Sequence, residues 1–226
     1  MGSNIISFSL WGHDPKYSLG AIENAKIAPK IYPGWTCKFY CDRTVTNDVV
    51  MALLNHNAQV ALMYNPFGID GLKSYGPWEG LFWRFLPASD PTVDRMISRD
   101  TDSILNVREK AAVDEWIESK KPFHIMRDHV WHSVPILGGM WGCVKGFLPE
   151  MGQWIRQWLL MEEYRLDLNS KGPDQLFLAE AIWPIVKNNC LTHDEITKIE
   201  DVHKKPFPKH DPLPEGLSFV GQIIER

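Results

Sequence analysis

Met96-Ile97-Ser98-Arg99-Asp100-Thr101-Asp102 joins a short apolar run to two acids one residue apart. In an extended chain side chains alternate, so Asp100 and Asp102 project to one side, roughly 7 Å apart along the backbone. Two carboxylates at the carboxyl end of a strand suit a hard divalent cation that keeps positions open for phosphate oxygens. In an α/β sheet the ligand crevice opens at the same edge. The pair points to a metal-dependent enzyme acting on a nucleotide diphosphate compound. A turn with two solvated acids is the plain alternative, so the context of the pair decides.

The context starts with size and composition. A chain of 226 residues is read as one domain with a sizeable core. An apolar fraction of 44% and a charged fraction of 23% match a globular protein. A net charge of −4, with no long basic run, argues against nucleic acid as a partner. Cys37, Cys41, Cys143 and Cys190 form no CxxC pair and have no zinc spacing. Cys37 and Cys41 are read as buried thiols, which fits a reducing compartment. No basic segment followed by an apolar one opens the chain, and no apolar run reaches about 18 residues. These features predict a cytoplasmic protein with no membrane span, a monomer being favoured.

Along the chain, residues 4–10 read as a buried strand and 17–28 as a helix ended by Pro29 and Pro33-Gly34. Residues 36–41 are a second strand. Thr46 is the N-cap of the next helix, and 58–63 a third strand. A Gly- and Pro-rich loop over 65–77 leads to a short aromatic helix over 78–86 opened by Pro77. Residues 93–98 are the strand that delivers the two acids. This alternation is the signature of a Rossmann-like parallel sheet. The second half predicts helices over 107–119, 153–164 and 174–182, the last stopped by Pro184. Strands are predicted over 123–126, 136–144 and 191–192, and an irregular tail over 206–214 wraps the body.

Several groups of residues carry chemistry, each with a plainer alternative. Arg84 and Arg99 could offset a diphosphate's charge or pair with structural acids such as Asp90 and Asp94. His193 could complete a metal shell or be an ordinary histidine. Gly172-Pro173-Asp174-Gln175 is a turn in which Asp174 caps a helix or, with Gln175, faces sugar hydroxyls or the reacting carbon. Gly138, Gly139 and Gly142 around Trp141 allow close approach of a ligand or another backbone, or mark a β-bulge. His124, His129 and His132 lack a nearby Cys or acid cluster apart from Asp128, so acceptor binding by Asp128 is preferred to a zinc site.

Together these segments resemble a known family. The segments are Ser7-Phe8-Ser9-Leu10-Trp11-Gly12 with Tyr17, Tyr32-Pro33-Gly34-Trp35, Phe82-Trp83-Arg84-Phe85, Ser98-Arg99-Asp100-Thr101-Asp102, Met126-Arg127-Asp128-His129, Leu137-Gly138-Gly139-Met140-Trp141-Gly142, Asp174-Gln175 and Phe219-Val220-Gly221. In sequence order, over nearly the whole chain, they resemble the GT-A-fold glycosyltransferase domain of chloroviruses and related bacterial and viral proteins. The resemblance implies an α/β, Rossmann-like GT-A domain with a mixed central sheet flanked by helices. It implies a nucleotide-binding half over about 1–105 and a catalytic half beyond it.

The resemblance also implies a nucleotide-sugar donor, a UDP-sugar such as UDP-glucose or UDP-rhamnose, with Mn2+ or Mg2+, and a glycan acceptor. It assigns Asp100 and Asp102 to the metal, with His193 as third ligand. It places the base around Ser9, Leu10 and Trp11, with Asp42 following the second strand; Tyr17, Arg84, Arg99, Asp100, Thr101 and Lys205 are the further donor-binding candidates, and which Lys meets the diphosphate stays open. The His-x-x-Gly-x-x-Lys-Pro-Trp signature of glycogenin-like relatives is absent. Only His193 and Lys204-Lys205-Pro206-Phe207 are similar to it. For catalysis, an inverting enzyme would use Asp174 or Asp128 as base, and a retaining enzyme would use Asp174 or Gln175 to support the cation. A metal-dependent phosphohydrolase or nucleotidyltransferase and a carbohydrate-binding module are the rival readings.

Overall fold

The computed structural model describes residues 2–64, 66–67, 79–162, 172–199 and 203–224. Its centre is a sheet of strands β1 (Ser3–Leu10), β2 (Trp35–Cys41), β3 (Gln59–Leu62), β4 (Val93–Ser98), β5 (Phe123–Arg127), β6 (Trp141–Val144), β7 (Cys190–Asp194) and β8 (Lys204–Lys205). Their order is β3-β2-β1-β4-β6-β5-β7-β8. The strands pair in parallel except β6, which runs antiparallel to both β4 and β5. The sheet is therefore mixed. The chain leaves β1 toward β2 on one side and returns to β4 on the other, and this reversal opens a crevice beyond the carboxyl ends of β1 and β4.

Alternation along the strands feeds two cores. Ile5, Tyr40 and Met96 join one face, covered by α3 (Gly80–Trp83), α5 (Met151–Glu162) and α6 (Pro173–Phe177). Ile6, Phe39 and Ile97 join the other, covered by α1 (Pro15–Ile31), α2 (Asn47–Asn55) and α4 (Val107–Ser119). Asp14 caps α1 by accepting from the Lys16 N–H, and Asn106 caps α4 by accepting from the N–H groups of Arg108 and Glu109.

The structure revises some predicted boundaries. Pro29 does not end α1. It sits in the last turn, where its missing N–H costs one helical bond, and the helix runs on to Ile31. The predicted strand over 136–144 is only Trp141–Val144. Pro184 does not stop the last predicted helix: a π-helical turn at Leu178–Ile182 passes into α7 (Trp183–Val186), with Pro184 in its first turn. Strand β7 runs through His193 and Asp194, both fully buried. The predicted Pro77 helix start lies outside the described residues. The tail does wrap the body: Phe207 and Val220 pack with Ala112, Met126 and Met140. The four cysteines are buried. Among the described residues, no helix is long and apolar enough to cross a membrane.

Candidate functional site

The crevice holds a cavity of about 570 Å3 lined from β1 by Ser9 and Leu10, from the following loop and helix by Trp11 and Tyr17, and beyond β4 by Asp100, Thr101 and Asp102. Arg84, Gly138, Asp174 and Gln175 line it too. Its volume is within the usual range for a small-molecule site. Ser9 Oγ accepts from the Arg84 backbone N–H at 3.0 Å, which ties the turn after α3 to the end of β1. Trp11 lies against Gly80, where a Cβ would meet the indole at 2.6 Å. Only glycine lets the ring pack there.

Arg84 organises the acids. Its side chain is 7% exposed, with Nη1 on Asp100 Oδ1 and Nη2 on Asp174 Oδ2 at 2.8 Å. Gly138 and Gly139 make room for this arrangement. A Cβ on Gly138 would collide with the Asp174 carboxylate and the Arg84 guanidinium, and one on Gly139 would lie 2.9 Å from the Asp100 backbone nitrogen. The glycine run thus admits side chains from three other segments. The Ser98 hydroxyl donates to the Gly138 carbonyl at 2.7 Å and holds the run against the end of β4.

Asp100 and Asp102 lie in the turn after β4 rather than in the strand, yet both line the cavity. Burial raises the Asp102 carboxyl above its usual range, and the neighbouring Asp100 charge raises it further, with Lys16 at 3.4 Å opposing. A dication relieves this repulsion. One or two carboxylates with the rest of the shell left to water and phosphate oxygens is the usual way Mg2+ is held. The two acids therefore fit the expected ion. Among the described residues, no group of three or more His, Cys, Asp or Glu forms an all-protein cage.

The structure separates other predicted residues from this cavity. His193 sits on β7, three strands from β4 in the sheet. Its Nε2–H donates to Glu115 Oε2 at 2.8 Å and its Nδ1 accepts from His124 Nε2–H at 2.8 Å. Both ring nitrogens are engaged, so the third-ligand assignment does not hold. Lys205 pairs with Glu115 in the same cluster, away from any diphosphate at the cavity.

Arg99 is buried beside β4. Its Nε donates to Glu109 at 3.3 Å and its Nη1 to the Ser98 carbonyl at 2.7 Å, while Tyr32 Oη donates to the same Glu109 oxygen at 2.8 Å. This network joins the end of α1 to α4 and corrects the diphosphate role. Asp128 is also committed elsewhere. Its two oxygens take Arg108 Nε and Nη2, both at 2.7 Å, and Oδ2 also accepts from the Val220 N–H at 2.9 Å. It anchors the tail and is not placed as a base. Asp42 accepts from the Thr44 N–H at 2.8 Å, and Thr44 Oγ1 accepts from the Gly12 N–H at 2.6 Å, so Asp42 shapes the loop after β1 without lining the cavity.

Asp174 corrects a smaller expectation. Gly172 is the N-cap of α6 and Pro173 follows it, leaving Asp174 in the first turn with its carboxylate on Arg84. Burial raises its carboxyl, and Arg84 draws it back down. Sequence reasoning missed Lys16, which pairs with Asp102, and Ile223, which lines the cavity. The Ile224 N–H donates to the Asp102 carbonyl at 3.0 Å. Only the position of Lys16 just after the Asp14-Pro15 helix start hinted at its reach, and nothing local marked Ile223.

No protein-family model matches the chain, and no curated protein matches it. Among solved structures, the glycosyltransferase GlyE of Streptococcus pneumoniae TIGR4 aligns with a TM-score of 0.52 at 13% identity, over 86% of this chain and 45% of GlyE. Glucosyl-3-phosphoglycerate synthase of Mycobacterium tuberculosis, in complex with Mn2+, UDP-glucose and phosphoglyceric acid, aligns with a TM-score of 0.46 at 12% identity, over 74% of this chain and 67% of that one. The present chain thus spans less than half the length of GlyE. The likeness to GlyE is one of architecture: a mixed central sheet flanked by helices, the fold of GT-A nucleotide-sugar transferases.

Proposed function

We propose that this chain is a metal-dependent glycosyltransferase that moves a sugar from a nucleotide sugar, a UDP-sugar such as UDP-glucose or UDP-rhamnose, to a hydroxyl of a carbohydrate acceptor. One observation carries the reading. A single cavity at the β1/β4 crevice gathers aromatic Trp11 and Tyr17, the paired acids Asp100 and Asp102, and Arg84 bound to Asp174. The GT-A architecture shared with the glycosyltransferase GlyE and the sequence resemblance to the chlorovirus enzymes support it.

The residues divide the work by position. Trp11, Leu10 and Tyr17 offer apolar surface to the nucleoside at the β1 end. Asp100 and Asp102 would hold the divalent cation, which when bound stabilises the charge that develops on the leaving diphosphate. Arg84 orients Asp100 and Asp174 at fixed spacing, as a planar guanidinium does better than an ammonium. Asp174, which lines the cavity with Gln175, would support the reacting carbon or take the acceptor proton. The anomeric configuration of the product distinguishes these roles.

The test is a thermal-shift and calorimetry panel of UDP, GDP, UDP-glucose, UDP-rhamnose and simple glycosides, with and without Mn2+. Stabilisation by UDP compounds that depends on Mn2+ is expected. Stabilisation by glycosides alone would favour a binding module. Phosphate release without sugar transfer would favour a phosphohydrolase.

A further inference from the structure

Four rings gather where the loop between β5 and β6 meets the C-terminal tail. Phe219 stacks on His129 with centroids 4.2 Å apart, Trp131 meets His129 edge-on at 4.8 Å, and His132 meets Phe219 at 5.7 Å. Trp131 is 82% exposed and is the one tryptophan so exposed among the described residues. His132 lines the cavity, as do Gly221 and Ile223 from the tail, so the cluster continues the cavity's mouth. Through His129 the exposed indole of Trp131 connects to the cavity-lining His132, whose ring centroid lies 6.0 Å from that of His129, so its apolar face lies beside the cavity.

The sheet order fixes which side of the cavity this is. Across β1-β4-β6-β5, Ser9 and Leu10 end β1, the acids follow β4, and His132 comes from the β5–β6 loop. A nucleotide at the β1 end puts the leaving group near the acids. The attacking hydroxyl then enters over the β5–β6 loop.

We propose that Trp131, His129 and His132 form the acceptor subsite and that its ligand is a pyranose ring of a carbohydrate. This inference rests on the glycosyltransferase reading above. The chemistry of the rings selects the ligand. The His129 Nδ1 accepts from the Trp131 N–H at 3.3 Å, and the His132 Nδ1 accepts from the Asp128 N–H at 2.9 Å. With Nδ1 accepting, the ring proton sits on Nε2 as a donor. Burial holds His132 down to about 4, which keeps it neutral at pH 7. A flat apolar face flanked by N–H donors matches a pyranose, which shows C–H groups on its face and hydroxyls at its rim. An acyl chain would need a continuous apolar groove, which the two imidazoles interrupt.

The experiment is saturation-transfer NMR with methyl glycosides of glucose, galactose, mannose, xylose and rhamnose, with UDP and Mn2+ present. At least one glycoside should bind, Trp131→Ala should weaken it at least about tenfold, and Trp131→Phe should restore much of the loss. Melting temperatures confirm that the variants fold, and Ile185→Ala, exposed on α7, is the control. Absence of glycoside binding, or binding indifferent to Trp131, overturns the subsite. UDP affinity, measured by calorimetry on the same samples, tests the parent reading independently. Absence of UDP binding overturns the glycosyltransferase assignment whatever the glycosides do.

Discussion

Arg84 Nη2 donates to Asp174 Oδ2 at 2.8 Å across 90 residues of sequence, and the same guanidinium holds Asp100 through Nη1. The helix-start acid and the acid after β4 are thereby fixed to one planar group. Asp174 is 2% exposed, and Gly172 rather than Asp174 caps the helix. Asp174→Asn keeps the shape and removes the charge. Turnover should fall by at least about 10²-fold, the low end for a positioned proton-transfer group, while UDP affinity stays within about twofold. Near-normal turnover in this variant would reduce Asp174 to a structural partner of Arg84.

The paired acids make the second prediction. Among the described residues, Asp102 lines the cavity with Lys16 at 3.4 Å to offset its charge, whereas Asp100 has Arg84. Asp102→Ala should abolish the Mn2+-dependent part of UDP binding and leave the far-UV circular dichroism unchanged. Calorimetry showing the same Mn2+-dependent UDP affinity in wild type and variant would refute the assignment.

His193 supplies a prediction opposite to the one its sequence invited. Its removal leaves the buried His124 Nε2–H and one Glu115 oxygen without their partner. His193→Ala should cost about 1–3 kcal/mol, a melting-temperature drop of roughly 2–12 °C for a chain of this size. Mn2+-dependent UDP affinity should not change. A selective loss of metal affinity at unchanged melting temperature would restore His193 to the metal shell.

How far the sequence could be read follows from the range of the interactions. The strand–helix alternation through β4 was legible because strand alternation and helical spacing are local, and Thr46 does stand at the N-cap position of α2, although its side chain makes no capping bond; the side-chain caps Asp14 and Asn106 were not read. The acids after β4 were legible because chain direction alone puts them at the crevice. The partners of Arg99, Asp128 and His193 were not. Each is set by an ion pair or imidazole contact across the fold, to Glu109, Arg108 and His124, which no spacing reveals. The glycine run was legible as a place of close approach, but what approaches, Asp100, Arg84 and Asp174, comes from three distant segments.

That close approach is itself testable. A Cβ on Gly139 would meet the Asp100 carboxylate and its backbone nitrogen, and the backbone there cannot rotate aside as a flexible side chain would. Gly139→Ala should destabilise by about 1–3 kcal/mol, as overpacking does, and should weaken Mn2+-dependent UDP binding because Asp100 moves. Gly146→Ala is the contrast: a Cβ at Gly146 meets nothing within 4 Å, and its cost comes only from a φ of +73°. A Gly139→Ala protein with wild-type melting temperature and UDP affinity would show that the run is not shaped by the acids.

His132 sets an acid limit on stability. Its imidazole is held down to about 4, chiefly by burial and then by His129, with Asp128, Asp100 and Asp194 opposing. In the unfolded chain a histidine titrates near 6.5. Between about 6.5 and 4 the unfolded state therefore binds the extra proton, so stability rises with pH across that window and is flat above it. Acidification from pH 7 to 4.5 should weaken the wild type. His124 and His193, also shifted down by burial, contribute with the same sign. His132→Gln removes one titrating group while keeping an acceptor for the Asp128 N–H. It should recover on the order of 1–2 kcal/mol of the acid loss, discounted for the solvent beside the ring. Urea titrations at pH 7.0, 5.5 and 4.5 read this directly. If variant and wild type lose the same stability between pH 7.0 and 4.5, His132 is not held neutral by the fold.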